Sequence, residues 1–187
     1  LGSMDRVLIL RFLSAESLGL YAIGLAVASI LSLIPALSGQ VFYPKMVETF
    51  SSKGIKKELI KLCINSSLVS FVFAIVATAF AYILLPFFVE FALPSYFNGI
   101  PYLKIALIIG LVLSLGAGPN FYIITVEEKA KQISLILLIV LMLFITTSVL
   151  NDLKLDTILW CVFAGSTVYV IGLWFIVFYT YNYKSEG

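Results

Sequence analysis

Ionisable and amide side chains are scarce in this chain, and the few that fall inside apolar stretches are the ones able to do chemistry. Asp5 and Arg6 stand side by side in the apolar run that opens the sequence, and Arg11 follows in the same run. An arginine held away from water presents a planar fork of donors that grips an anionic group bidentately, and a neighbouring carboxylate holds or couples it. The competing reading is an ion pair that only fastens one helix to another. Arg11, closer to the end of its run, can equally snorkel to the interface. Asn65, Asn120 and Tyr122 offer neutral hydrogen bonds that suit a hydroxyl-rich ligand, or they act as polar glue between helices. The sequence contains no His and only Cys63 and Cys161, each near the start of its apolar stretch but expected on opposite sides of the membrane, Cys63 cytoplasmic and Cys161 outer. Imidazole chemistry, a metal site and an intramolecular disulfide therefore have no basis, and no cofactor is expected.

The elements that position these residues follow from composition. Of 187 residues, 61% are apolar and only 12% charged, with a mean hydropathy of +1.10. Soluble domains carry about twice that share of charge, so the chain reads as an integral membrane protein. A formal charge of +2 and the absence of nucleic-acid motifs leave no case for a polyanion partner; membrane lipids are the expected surroundings.

Charge-free stretches mark the spans, because a charge near the bilayer centre costs roughly 2.5 to 3.5 kcal/mol on insertion scales. Five occur: Ser17 to Pro44, Leu62 to Val89, Ile105 to Val126, Gln132 to Asn151 and Thr157 to Tyr183. Each is long enough to cross about 30 Å of hydrocarbon as a helix, and none shows the alternation of a barrel strand. The expected fold is an all-α, polytopic transmembrane bundle with helices over 17–44, 58–93, 101–126, 130–151 and 155–183. Leu1 to Leu13 reads as the end of a further span that begins upstream, although Gly2-Ser3-Met4 also fits a tag remnant. The whole is then one six-helix unit, a single domain.

Loops bearing Lys45, Lys53, Lys56, Lys57, Lys61, Lys129 and Lys131, together with the tail carrying Lys184, hold eight of the twelve basic residues. The positive-inside rule places them and the C-terminus in the cytoplasm. Ile55 to Leu62 reads as a basic segment at the cytoplasmic surface, or simply as a solvated positive loop. Asn98-Gly99 with Pro101 marks a turn into the third span. Pro35, with Gly39 and Gln40 nearby, is expected to interrupt the first full span, and Gly116-Ala117-Gly118-Pro119-Asn120 the third. Such breaks suit a moving gate, and they also occur in membrane helices with no such role.

The order of these features carries a resemblance. Gly2 to Gly24, with Asp5 inside a helix, a short turn and then Leu18-Gly19-Leu20-Tyr21, resembles the start of the second half of bacterial polysaccharide flippases of the multidrug/oligosaccharidyl-lipid/polysaccharide superfamily. Val41-Phe42-Tyr43-Pro44-Lys45, expected to close the first full helix, and Pro94-Ser95-Tyr96 before the third continue the likeness. The resemblance implies an inner-membrane transporter of an oligosaccharide carried on a polyprenyl diphosphate, working by alternating access between this bundle and an N-terminal half of the same chain. It implies that Asp5, Arg6 and Arg11 meet the charged cargo, that Asn65, Asn120 and Tyr122 contact sugar hydroxyls, and that Pro35, Gly39, Gly116, Gly118 and Pro119 permit motion. Two other functions stay open: a drug or cation antiporter of the same superfamily, and a membrane enzyme of polysaccharide assembly. An enzyme is disfavoured because no sizeable aqueous loop carries a cluster of catalytic residue types.

Overall fold

The computed structural model describes residues 15–53, 57–126 and 155–184, and every regular element among them is helical. Helix α1 runs Ala15–Lys53, α2 Lys57–Ala92, a 3-10 turn Pro94–Gly99, α3 Ile100–Ser114, α4 Ala117–Val126 and α5 Leu155–Lys184. Among the described residues, four segments are long and apolar enough to cross a membrane: Leu18–Lys53, Lys57–Ala92, Pro94–Ser114 and Thr157–Asn182. The expected span over 130–151 and the partial span Leu1 to Leu13, with Asp5, Arg6 and Arg11, lie outside the described residues.

Packing inverts the pattern of a water-soluble protein. Through the middle of α2 the buried face is built from small or weakly polar residues, Cys63, Ser66, Ser67, Ser70, Ala74 and Thr78, with Leu59, Ile60, Leu85 and Val89 buried only toward its ends, while Phe73, Val76, Phe80, Ile83 and Phe87 point outward. In hydrocarbon there is no hydrophobic penalty for exposing a phenyl ring. Helices instead gain by close backbone approach and buried hydrogen bonds, which small residues permit. α1 packs on α2, α3 and α4, and α5 lies mainly along α3. Leu31, Leu85, Val89, Leu103 and Leu107 knit α1, α2 and α3 in one half of the bundle. In the other half Met46, Leu59, Ile60, Cys63, Tyr122 and Val177 join α1, α2, α4 and α5.

Two sequence expectations need correction. α1 does not stop at Pro44 and is not interrupted at Pro35; it is one helix of 39 residues through both prolines to Lys53. A proline removes one backbone bond, but leaving the helix in hydrocarbon would strand several more, so the chain continues. The second helix begins at Lys57, beside the expected start at 58, so most of the basic stretch Ile55 to Leu62 forms its first turns, with Leu59 and Ile60 buried against Met46 of α1. The third span behaves differently: the 3-10 turn feeds α3 with Pro101 in its first turn, and helical bonding fails at Leu115 and Gly116 before α4 resumes.

Candidate functional site

The break between α3 and α4 has a covalent cause. Pro119 has no N–H, so the Leu115 carbonyl four residues earlier loses its helical donor. The turn tightens instead: Leu115 N–H donates to Val112 O at 3.1 Å and Gly116 N–H to Leu113 O at 3.0 Å. Normal helical bonding restarts where Asn120 N–H donates to Gly116 O at 3.0 Å.

Two other helices satisfy the freed groups. The Ser67 hydroxyl on α2 donates to the Leu115 carbonyl at 3.0 Å and accepts the Gly118 N–H at 3.1 Å. Trp174 on α5 donates its indole N–H to the same carbonyl at 3.2 Å. One serine thus replaces both a donor and an acceptor that the broken helix lacks. Gly118 makes this possible, since a Cβ there would run into the backbone carbonyl of Cys63. α2 and α4 touch backbone to backbone at that point.

One turn onward, Tyr169 of α5 donates its hydroxyl to Oδ1 of Asn120 at 2.9 Å. Tyr122 is only 1% exposed beside Cys63, and its hydroxyl has no hydrogen-bond partner among the described residues. Asn65 is half-buried on α2 and takes no part in the hydrogen-bonded set around the break. Of the residues singled out in the sequence, the fold brings together Gly116, Gly118, Pro119, Asn120 and Tyr122. Gly39 belongs to a separate contact, packed so closely on the Phe121 ring that a Cβ would collide with it.

A second polar contact crosses from α1 to α2. Ser38 Oγ lies 2.6 Å from Ser70 Oγ, a hydrogen bond across the two helices, and 3.0 Å from the Pro35 carbonyl, which it can also serve as donor. Around this pair an apolar cleft of about 770 Å³ opens between the helices, lined by Leu37, Val41, Phe73 and Phe80 among others.

Sequence reasoning missed Ser67, Ser70, Ser38, Tyr169 and Trp174. Trp174 carried a usable signal, because a tryptophan well inside a span rather than at its end needs a partner for its N–H. The serines carried only their spacing on the small-residue face of α2. Chemically the site is neutral and hydrogen-bonding, and no group of three His, Cys, Asp or Glu that could hold a metal occurs among the described residues. No protein-family model, curated protein or solved structure matches the chain.

Proposed function

We propose that this chain is one bundle of a lipid-linked oligosaccharide transporter of the polysaccharide-flippase kind, moving its cargo across the bacterial inner membrane by alternating access. The observation that best supports the reading is the discontinuous third span. Discontinuous helices are a recurring device of secondary transporters, where irregular backbone at membrane depth is tolerated if protein or a wet cavity satisfies it. Here α2 and α5 both supply donors to the break, so its state is coupled to two other helices. In this reading the bundle has six spans, both ends are cytoplasmic, and a second bundle provides the opposite wall of the path. The protein is then a carrier and not an enzyme, and its partners are membrane lipids and the lipid-linked sugar.

Arg6 supplies the test. If its charge faces the cargo diphosphate, Arg6→Ala should reduce polysaccharide export at near-normal membrane abundance, Arg6→Lys should keep part of it, and Asp5→Asn should impair it. A normally abundant Arg6→Ala protein with full export would refute the assignment. Lost abundance in each single variant, recovered in the Asp5→Ala, Arg6→Ala double, would make the two residues a structural pair instead.

A further inference from the structure

Lys104 is a charge in an unusual place. It sits on the second turn of α3, about 6 Å beyond the helix start at 1.5 Å per residue, and is half-buried. Its ammonium lies 4.1 Å from the ring centre of Tyr82 on α2. Tyr82 is ten residues before the end of α2, roughly 15 Å along that helix, so the lysine is held toward the bilayer interior instead of snorkelling outward.

The tyrosine face satisfies the ammonium from one side only. Among the described residues the one salt bridge is Lys53–Glu58, at the opposite end of the bundle. Glu90, the acidic residue nearest this end of α2, is exposed and makes no ion pair with Lys104. Among the described residues no carboxylate pairs with the ammonium, which leaves N–H donors for an anion. Leu103 and Leu107, on either side of Lys104 in α3, are buried against Leu85 and Val89. Lys104 and Tyr82 thus lie at the edge of that packed seam, where Tyr82 is 44% exposed and Ile83 and Phe87 continue an outward apolar surface.

A free-floating anion would have to leave water to reach the ammonium, whereas a phosphate attached to a hydrocarbon chain arrives from the membrane side with its tail against Ile83 and Phe87.

We infer that Lys104 and Tyr82 form a binding site for the phosphate of a membrane lipid, entered from the bilayer at the edge of α2 and α3. The chemistry is shared by phospholipids and polyprenyl phosphates, and it does not depend on the transport assignment.

Native mass spectrometry of the purified full chain in detergent, titrated separately with dioleoyl phosphatidylglycerol, polyprenyl monophosphate and inorganic phosphate, tests it. Lys104→Gln should weaken at least one lipid phosphate about tenfold, Tyr82→Leu should weaken the same one severalfold, and Lys104→Arg should retain most of it. A preference among the two lipids identifies the source. Unchanged retention of both lipids in Lys104→Gln would overturn the site, as would inorganic phosphate competing at equal concentration. Tyr82 is exposed, so its variant keeps the test decisive even if substitution of Lys104 lowers yield.

Discussion

The hydroxyl of Ser67 occupies, for the Leu115 carbonyl, the place that the nitrogen of Pro119 cannot fill. The 3.0 Å bond between Ser67 and Leu115 joins α2 to the one point where the third span has no internal support. Ser67→Ala removes that bond and the acceptor for Gly118 N–H together. Interhelical hydrogen bonds in membranes average about 0.6 kcal/mol, so the loss should be roughly 1 to 2 kcal/mol for the two. Trp174→Phe removes one donor from a carbonyl that Ser67 still serves, and should cost less at this bond. Denaturant titration in mixed micelles measures both, and a Trp174→Phe defect confined to packing would leave the Ser67→Ala effect unchanged in the double variant.

Gly118→Ala should be among the most damaging single substitutions in the described bundle. Its new methyl meets the Cys63 backbone carbonyl, which no rotamer change can move, so α2 and α4 must separate at a cost of about 1 to 3 kcal/mol or more. Gly116→Ala should be much milder, because the nearest atom is the Leu113 carbonyl oxygen at 3.2 Å. Equal thermal destabilisation by the two changes would contradict the close contact.

Tyr122→Phe makes a sharper distinction. The Tyr122 hydroxyl is buried without a partner among the described residues, so deleting it should leave stability unchanged or raise it by up to about 1 kcal/mol. If that hydroxyl meets cargo during transport, the same variant should lower export while its melting temperature holds. Falling stability would instead reveal a hidden partner.

Cysteine labelling in intact cells, with Cys63 and Cys161 replaced, checks orientation. Ser52→Cys, exposed at the end of α1, should react only after the membrane is permeabilised, and Asn98→Cys, exposed in the 3-10 turn, should react from outside. The reverse pattern would invert the topology.

Helical character and membrane-crossing length were legible because they rest on summed apolarity, which tolerates individual exceptions. The start of the third span was legible too, since Asn98-Gly99 and Pro101 specify local geometry. The far end of α1 was not, because Pro44 and Lys45 look like a boundary while the helix continues on bonds the sequence does not display. Pro35 and Pro119 show why prolines mislead. One lies within an unbroken helix and the other follows a break, and the difference is two glycines before Pro119 and the partners waiting on α2 and α5. Those partners are long-range facts, and Ser67 looks no different in sequence from Ser66, which has no hydrogen-bond partner among the described residues.

The length of α1 has a mechanical consequence. From Ser38, tied to Ser70, to its last residue Lys53 the helix extends about 22 Å at 1.5 Å per residue. With the serine pair as fulcrum, a tilt of about 10° carries the lysine-bearing tip roughly 4 Å sideways on that rise. Met46 of α1 packs on Leu59 and Ile60 at the start of α2, so a tilt of this tip would carry the start of α2 with it. A displacement too small to register at the serines becomes, at that end, one as wide as an atomic diameter or more. Spin labels at Ser52 would therefore read any rocking of α1 about the serine pair with greater gain than labels placed near its centre.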